Sequence, residues 1–426
     1  MGVKVAVAGG GSTYTPELIE GFLSHRDRLP VDELVLLDID RERLEVVGGL
    51  AQRILGKGEW RGKLMLTADR DRALDGASFV IIQLRVGGQA ARLLDETLPL
   101  QFGCIGQETT GPGGFAKALR TVPVVLELAE ETQRRGAKDA WVVDFTNPVG
   151  IVMQALLDDG HRAIGLCNSA MGFQRQIARL LGVAPGRVAL EHVGLNHLTW
   201  ERAARVDGVD RLPELIQRYA DVIGTEIGIP PELIRLLGAI PSYYLRYFYL
   251  TEEVLKEQVS GAKRSRAEEV MAIEAKLLEM YRDPALDSKP KLLEQRGGAY
   301  YSEAAAELIA SLHAGTGDEQ VVDIRNGGAL PDLPADAVVE IPARIARNGA
   351  HPQPLPALPS EMLGLVQQVK AYERLTVKAA VNGDRAAALK ALIANPLIGQ
   401  FPVASSLLDA LLEANRRHLP RFFPQD

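Results

Sequence analysis

A cysteine and a histidine each close an apolar stretch of the chain, at positions from which both could hold one metal ion. Cys167 ends the segment AIGLC, and thirty positions later His197 follows VGLN. A thiolate and an imidazole can bind a divalent ion and leave coordination positions open for substrate oxygens, and a thiolate favours zinc or iron over a harder ion. The alternative is that both are ordinary core residues. Cys167 closes a predicted parallel strand, where ligands bind in open sheets, and this favours the metal site.

A glycine-rich turn near the start of the chain has the composition of a phosphate cradle. The strand-forming run VKVAVA leads into GGGSTYTPEL, where three glycines let the backbone approach a phosphate and Pro16 suits the first turn of a helix facing the anion. Asp38 closes the next predicted strand, where a carboxylate accepts a ribose hydroxyl and favours NAD over NADP. Tyr14 replaces the third glycine of GxGxxG, so a plain strand–turn–helix is the alternative. The predicted cofactor-binding residues are Gly9, Gly10, Gly11, Ser12, Thr13 and Asp38.

The composition limits the classes of protein to which the chain can belong. Its 426 residues carry a formal net charge of −7 and a sequence pI of about 5.7, which argues against nucleic-acid binding because such domains are usually basic. Two cysteines cannot build a disulfide framework and indicate a reducing compartment. No apolar run reaches the roughly 18 residues of a membrane span, and the N-terminus lacks the pattern of a signal peptide. We therefore expect a soluble, cytoplasmic protein with neither nucleic-acid nor membrane partners.

Short β-branched runs alternate with amphipathic stretches over the first 170 residues and predict a parallel sheet covered by helices on both faces. Helical periodicity dominates afterwards, with a Pro-rich loop at 348–359. The fold class is therefore α/β: we predict an N-terminal Rossmann-type NAD-binding domain over 1–170, and a mixed α+β, largely helical C-terminal domain over 171–426 for substrate binding, metal binding and oligomerisation. The predicted strands are Val3–Ala8, Leu34–Asp38, Phe79–Leu84, Ala140–Asp144, Ala163–Cys167, Val188–Leu195, Thr199–Val206 and Val321–Ile324. The predicted helices are Pro16–Leu23, Arg41–Leu55, Val122–Arg135, Gln174–Leu181, Leu212–Ile223, Pro231–Leu237, Ala267–Tyr281, Ser302–Leu312, Glu361–Val381, Ala386–Ala394 and Ser405–His418.

The sequence resembles the family-4 glycoside hydrolases in segments that span nearly the whole chain. They are GGGSTYTPEL, LRVGG, GQETTGPGGFAKALR, FTNP, LCNSAMGF, GLNH, SYYLRYFY and ERLTVKAAVNGD. The resemblance implies a lactate/malate dehydrogenase-like fold, with NAD and Mn²⁺, or another divalent metal, as cofactors. NAD-dependent members of this family are exceptions to the two-carboxylate mechanism of glycosidases.

The mechanism that the resemblance implies is hydrolysis by oxidation, elimination and addition. NAD⁺ oxidises C3 of the sugar, a base removes the C2 proton, the O1 substituent leaves, water adds, and C3 is reduced again. In the family, an asparagine after the metal cysteine accompanies 6-phospho-β-glucosides, whereas an aspartate accompanies α-linked phosphoglucosides. Asn168 therefore implies a 6-phospho-β-glucoside substrate, such as cellobiose 6-phosphate or an aryl glucoside.

The resemblance also implies roles for individual residues. Cys167 and His197 would be the metal ligands, and Tyr244 would be the base at C2. Tyr243 and Tyr247 in the same SYYLRYFY segment are the alternative candidates for the base. A tyrosine, whose pKa is ordinarily about 10, acts as a base only when a metal or another cation lowers that pKa. Asn168 would orient the sugar rather than donate a proton.

The 6-phosphate of such a substrate needs guanidinium and amide donors. Arg92, Asn147 and Arg266 match positions that the family uses to bind this phosphate, so the resemblance implies the same role for them. The alternative for each arginine is a surface ion pair, which is more common. The resemblance further implies that Asn168, Asn196 and Glu108 line the same pocket. Enzymes of this kind often associate through the second domain, so we expect a homodimer or a homotetramer.

Three other functions fit parts of the sequence. A family-4 enzyme for an α-linked phosphoglucoside, an α-galactoside or a glucuronide shares the motifs, but relatives that act on non-phosphorylated sugars commonly carry histidine where Asn168 stands. A 2-hydroxy-acid dehydrogenase shares the fold but needs no metal cysteine, and it would produce NADH from a hydroxy acid. A nucleotide-sensing regulator would bind NAD without turnover, and it leaves the Cys167–His197 pair and Tyr244 unexplained.

Overall fold

The buried β-branched runs at the start of the chain form the centre of a nine-stranded sheet in a computed structural model of the protein, which describes residues 2–261, 264–297 and 301–424. The strands are β1 (Val3–Ala8), β2 (Val31–Leu37), β3 (Lys63–Thr67), β4 (Phe79–Ile82), β5 (Trp141–Asp144), β6 (Ala163–Gly165), β7 (Val188–Leu195), β8 (Leu198–Val206), β9 (Val209–Asp210), β10 (Ile240–Pro241), β11 (Glu319–Arg325), β12 (Val338–Ala346) and β13 (Gly349–Pro352). The order in the large sheet is β13-β12-β11-β6-β5-β4-β1-β2-β3. Strand β4 is buried along its whole length and β1 almost so, as expected where helices cover both faces.

The strands from β3 to β6 in this order run parallel, so their carboxyl ends lie at one edge of the sheet. The predicted parallel sheet is confirmed for this part. Beyond β6 the second half of the chain adds β11, β12 and β13 in antiparallel orientation. The sequence predicts the strand Val321–Ile324 within β11, but neither the other two strands nor the antiparallel extension of the sheet. Strand β12 contains Pro342, and a proline lowers the strand signal of a sequence because it cannot donate to the ladder. The segment 348–359, predicted to be a loop, contains β13. The division of the chain at residue 170 stays a prediction.

The helices pack against this sheet and against a second, smaller sheet of β10, β8, β7 and β9. They are α1 (Thr15–Ser24), α2 (Arg41–Lys57), α3 (Arg70–Leu74), α4 (Gly88–Thr97), α5 (Gly111–Arg135), α6 (Val149–Asp158), α7 (Ser169–Leu181), α8 (Leu212–Ile227), α9 (Pro231–Leu237), α10 (Arg246–Tyr249), α11 (Thr251–Val259), α12 (Arg266–Tyr281), α13 (Tyr301–Ala314), α14 (Ser360–Asn382), α15 (Arg385–Ala394) and α16 (Phe401–Ala414). Within the part of the chain that the structure describes, no helix combines the length and the apolar character needed to cross a bilayer.

Helix α5 begins at Gly111, so the predicted start at Val122 is wrong. Its first turn reads GPGG and Pro123 lies inside it, and both features lower helix propensity. Helices α4 and α6 are not predicted from the sequence either. Tertiary contacts outweigh the weak local preference here, because the first half of α5 is almost completely buried.

The hairpin of β7 and β8 carries one of the predicted metal ligands at its tip. The two strands pair antiparallel up to Leu195 opposite Leu198, so Asn196 and His197 form a two-residue turn. Both strands are predicted from the sequence and confirmed, the second beginning at Leu198 instead of Thr199. Strand β7 also packs against β12, which brings the hairpin to the large sheet.

Candidate active site

A cavity of about 1430 Å³ opens at the carboxyl ends of the parallel strands, where Ala8 ends β1 and Leu37 ends β2. This is the edge at which open α/β sheets bind ligands. The predicted site residues that line it are Gly9, Gly11, Ser12, Asp38, Arg92, Glu108, Asn147, Asn168, Tyr244 and Arg266. The predicted site residues outside this lining are Gly10, Thr13, Cys167, Asn196 and His197. Residues from distant parts of the chain therefore meet around one space.

The glycine turn lies too close to the strands for larger residues. Gly9 has a φ of +90°, and a Cβ there would lie 2.5 Å from the carbonyl oxygen of Gln83. The amide of Gly11 donates to Asp38 Oδ2 at 2.8 Å, and the other oxygen of Asp38 accepts from the amide of Asp40 at 3.0 Å. The carboxylate is thus held at the end of β2, beside backbone that a dinucleotide could approach. These residues fit a dinucleotide phosphate and ribose.

Two of the predicted cofactor-binding residues support the turn from behind instead of lining the cavity. Thr13 is fully buried, and its hydroxyl donates to Glu274 on α12 at 3.3 Å, while its carbonyl accepts from Tyr281 at 2.8 Å. A Cβ at Gly10 would lie 2.7 Å from the Cβ of Leu36. Both positions therefore fix the turn to the helix and the sheet behind it.

His197 has the properties of a metal ligand. Its backbone φ of +63° costs a non-glycine residue about 1–3 kcal/mol, and such strain persists mostly at functional sites. The ring is buried, its Nδ1 lies 2.9 Å from the hydroxyl of Thr109, and its Nε2 is buried without a hydrogen-bond partner. Burial lowers the pKa of His197 to about 4, so the imidazole is neutral near pH 7. A neutral ring with one unbonded nitrogen fits a divalent metal.

Tyr244 packs against the predicted metal ligand His197. Its ring stacks on His197 with centroids 3.6 Å apart and planes inclined by 9°. Burial raises the pKa of Tyr244, and negative charge at Cys167 and Glu108 raises it further, so the buried Cys167 lies within electrostatic range of this ring. Within residues 2–261, 264–297 and 301–424, no group of three or more histidine, cysteine or carboxylate side chains could hold a metal. A metal on Cys167 and His197 would keep open coordination positions.

The neighbouring tyrosines meet the ring of Tyr244 at an angle. Tyr243 meets Tyr244 edge-on at 5.7 Å between centroids and is 41% exposed, and Tyr247 meets Tyr244 at 6.5 Å. The stacked contact with His197 belongs to Tyr244, the tyrosine predicted as the base. The assignment of that role remains a prediction, which the geometry supports.

A cluster of buried charges surrounds Glu108 on the cavity wall. Lys117 Nζ lies 2.8 Å from Glu108 Oε2, Arg92 Nη2 lies 3.2 Å from Oε1, and Arg85 also donates to this carboxylate. Burial on its own would raise the pKa of Glu108, yet the three cations hold it well below its usual range. Arg92 also pairs with Glu96 at 2.8 Å. Three cations against two carboxylates leave positive charge at the wall, which suits an anionic substrate.

The other predicted substrate residues have different surroundings. Arg266 begins α12, donates to the carbonyl of Gln295 at 2.7 Å, and keeps 43% of its side chain exposed. Asn147 precedes a cis proline, and Asn168 lies at the N-terminus of α7, where its side chain does not cap the helix. Asn196 is not among the residues that line the cavity, and its amide donates to Glu340 Oε2 at 2.9 Å. Its predicted place near the substrate stays a prediction.

Behind Asn196 lies a charged group that sequence reasoning does not find. His192 is fully buried between Glu201, at 2.6 Å from Nδ1, and Glu340, at 2.8 Å from Nε2. Burial disfavours a charged ring, but the two carboxylates raise the pKa of His192 to about 10. A histidine in an alternating strand carries no signal of this partnership. Lys117 and Thr109 are not predicted either, but the sequence could have indicated them, because both are polar residues within the GQETTGPGGFAKALR segment.

Comparison with known proteins covers nearly the whole chain. Residues 4–183 match the family model described as Family 4 glycosyl hydrolase, and residues 192–398 match the Family 4 glycosyl hydrolase C-terminal domain. A Bacillus subtilis (strain 168) protein described as a probable 6-phospho-beta-glucosidase is 42% identical, over 99% of this chain and 98% of its own. The structure of the 6-phospho-beta glucosidase from Thermotoga maritima with manganese, NAD⁺ and glucose-6-phosphate has a TM-score of 0.90 and 35% identity, covering 98% of this chain and 99% of that chain.

A more distant likeness concerns the fold alone. Malate dehydrogenase from Plasmodium falciparum in complex with NADH matches with a TM-score of 0.53 and 14% identity, over 89% of this chain and 98% of that chain. The predicted lactate/malate dehydrogenase-like fold is thus confirmed.

Proposed function

Because the chain belongs to family 4 of the glycosyl hydrolases, we propose that its cavity hydrolyses 6-phospho-β-glucosides, with NAD and a divalent metal such as Mn²⁺ as cofactors. The observation that carries the proposal is the buried stack of Tyr244 on His197 beside Cys167. The stack supports the proposal because a phenolate at Tyr244 could take a proton beside an imidazole that can hold a cation, within electrostatic range of Cys167. A 2-hydroxy-acid dehydrogenase has no use for this group.

The cofactors have separate places in the site. The residues Gly9, Gly11, Ser12 and Asp38 would hold the dinucleotide, with Gly10 and Thr13 supporting the turn. Cys167 and His197 would hold the metal. When bound, NAD⁺ supplies reversible oxidation at C3 and the metal polarises the neighbouring sugar oxygens, which acidifies the C2 proton.

Tyr244 takes the C2 proton, and the aglycone then leaves from C1. Burial raises the pKa of Tyr244, so the residue needs a nearby cation to act as a base near pH 7. Because Tyr244 stacks on His197, a metal bound to His197 would be that cation. Asn168 lies on the cavity wall next to Cys167 and orients the sugar. Its amide has no acidic proton to donate, which agrees with an elimination that needs no carboxylic acid at this position.

The phosphate lies against the positive wall of the cavity. Arg92 on α4, Asn147 in the segment after β5 and Arg266 at the start of α12 line the cavity and would bind it. Glu108 sets the positions of the cations around it, because three of them bind its two oxygens. Asn196 acts from outside the cavity lining, through its bond to Glu340.

The finer features of the proposal concern the substrate, the assembly and the location. Asn168, in place of an aspartate, favours a β-linked phosphorylated disaccharide or aryl glucoside over an α-linked one. We propose a homodimer or homotetramer in the cytoplasm, where the reduced thiols of Cys104 and Cys167 would persist. Light scattering on the purified protein tests the assembly.

An assay on chromogenic 6-phospho-β-glucoside, with NAD⁺ and Mn²⁺ added or withheld, tests the function. We expect activity only with both cofactors, deuterium at C2 of the product when the reaction runs in D₂O, and little activity on the unphosphorylated glucoside. Activity that persists in EDTA without NAD⁺ would refute the mechanism. A higher rate on 6-phospho-α-glucoside would favour the α-linked alternative, and net NADH from a 2-hydroxy acid would favour the dehydrogenase.

A further inference from the structure

The loop before α5 contains a side chain whose orientation its neighbours determine. Gln107 Oε1 accepts from the backbone amides of Thr109 at 2.5 Å and Thr110 at 2.6 Å. A backbone N–H group can only donate a hydrogen bond, so the atom that faces both amides must be the carbonyl oxygen of the glutamine and not its NH₂ group. The two possible orientations of the amide are thus distinguished.

The direction of the next hydrogen bond follows from this orientation. The hydroxyl of Thr109 lies 2.9 Å from the same Gln107 Oε1. A carbonyl oxygen cannot donate, and a hydroxyl has one proton, so Thr109 gives that proton to Gln107. Its oxygen keeps only lone pairs for any other partner.

That other partner is the ring of His197. The Thr109 oxygen lies 2.9 Å from His197 Nδ1, and since it can only accept there, Nδ1 must carry a proton. In the neutral ring the second nitrogen, Nε2, then has a free lone pair. Nε2 is also the ring nitrogen that is buried without a hydrogen-bond partner. A chain of three side chains therefore determines which nitrogen can bind a cation.

Helix α5 holds this loop in place. A Cβ at Gly113 would lie 2.2 Å from the carbonyl oxygen of Gln107, and one at Gly114 would lie 2.4 Å from that of Thr109. The loop is therefore packed directly on the first turn of the helix, and only glycines permit the contact. The hydroxyl of Thr109 has little freedom to move away from the ring.

On the premise of the proposed metal site, we propose that Gln107 and Thr109 are positioning residues that hold His197 in the tautomer protonated on Nδ1 and so present Nε2 to the metal. Neither residue touches the metal or the substrate in this role. Outer partners of this kind typically contribute 10–100-fold to metal affinity.

Nitrogen NMR of the metal-free protein, labelled with ¹⁵N-histidine, tests the tautomer directly. The chain has seven histidines, and the spectrum of a His197→Gln variant assigns the signal of His197. We expect the unaltered protein and Thr109→Ser, which keeps the hydroxyl, to show His197 protonated on Nδ1. Thr109→Val has nearly the same volume but cannot accept, and we expect it to lose this single form. A protonated Nε2 in the unaltered protein, or an unchanged signal in Thr109→Val, would overturn the proposal.

Binding of Mn²⁺, followed by its electron paramagnetic resonance signal without NAD or substrate, gives the second measurement. We expect Thr109→Val to raise the Kd for Mn²⁺ by roughly 10–100-fold and Thr109→Ser to restore it to within about twofold. Gln107→Glu keeps an acceptor for all three donors and should retain the tautomer, whereas Gln107→Met should not. If the unaltered protein bound no Mn²⁺, the proposed function would fail, while the nitrogen spectrum would still decide the tautomer.

Discussion

The ring of His197 stacks on the ring of Tyr244, with centroids 3.6 Å apart and planes inclined by 9°. The two residues come from different elements, the turn between β7 and β8 and the segment after β10. The stack therefore makes the proposed metal ligand and the proposed base one structural unit. A change that removes either ring will disturb both roles, so variants must preserve the ring or lie away from it.

Tyr244→Phe keeps the stacked ring and removes only the hydroxyl. We expect it to bind Mn²⁺ normally, to lose roughly 10²–10⁴-fold in kcat, and to stop exchanging deuterium into C2, because a general base contributes about that much to rate. Tyr243→Phe is the control, since Tyr243 is 41% exposed and does not stack on His197. Deuterium exchange that survives in Tyr244→Phe would assign the base to another residue.

Cys167→Ser tests the thiolate ligand. A serine hydroxyl stays neutral and binds metals weakly, so we expect the Kd for Mn²⁺ to rise by more than the roughly 10–100-fold that loss of an outer partner costs. Cys104→Ser is the matched control, because burial raises the pKa of this second thiol and its Sγ contacts the carbonyl of Phe102. Equal metal affinities for the two variants would remove Cys167 from the site.

Arg266→Ala removes a guanidinium from the start of α12. Hydrogen bonds to charged groups contribute about 1.5–3 kcal/mol, so KM for a 6-phosphoglucoside should rise by roughly 10–100-fold with a smaller change in kcat. Arg282→Ala is the control at the other end of the same helix, where the side chain pairs with Glu42 at 2.9 Å. An equal loss on unphosphorylated glucosides would contradict a role in phosphate binding.

Substitutions at two adjacent glycines should have different effects, one on the stability of the cofactor turn and the other on NAD binding. A Cβ at Gly10 meets the Cα and Cβ of Leu36 at 2.8 and 2.7 Å, so Gly10→Ala should lose about 1–3 kcal/mol of stability. A Cβ at Gly11 lies 2.9 Å from Asp38 Oδ2, so Gly11→Ala should displace the carboxylate that the amides of Gly11 and Asp40 hold, and should mainly weaken NAD binding. Thermal unfolding and calorimetric titration with NAD⁺ distinguish the two. The opposite assignment of effects would contradict the arrangement of the turn.

The buried His192 predicts how stability depends on pH. The ring has a pKa of about 10 in the folded protein and 6.5 as its ordinary value, so its contribution to stability is complete below pH 6.5 and is lost as the pH rises towards 10. The slope for one proton is about 1.4 kcal/mol per pH unit. His192→Gln should lose this part of the slope and be less stable at pH 6.5, since it leaves Glu201 and Glu340 without their countercharge.

Thermal unfolding from pH 6 to 10 checks the role of His192. His351→Gln serves as the control, because the ring of His351 contacts Asn348 at the surface. Parallel pH profiles for the unaltered protein and His192→Gln would show that the buried ring is not charged.

Much of the architecture can be predicted because it depends on local signals. The strands Val3–Ala8 and Val188–Leu195 have the predicted bounds, since apolar residues within each segment are enough to indicate a buried strand. Strand β12 and the start of α5 could not be predicted in this way. Pro342 disfavours a strand and the GPGG segment disfavours a helix, but packing against the rest of the chain stabilises both elements.

The residue types of the site, and the motifs around them, were determined by the sequence alone: a cysteine and a histidine at the ends of apolar runs, a glycine turn before a helix, and an asparagine after the cysteine. Only the tertiary structure decided which partners these residues have. Tyr244 stacks on His197, Thr109 bonds to its Nδ1, and Asn196 donates to Glu340. The physical reason is that periodicity and propensity describe near neighbours along the chain, whereas these contacts join segments that meet only when the hairpin, the loop before α5 and the sheet pack together.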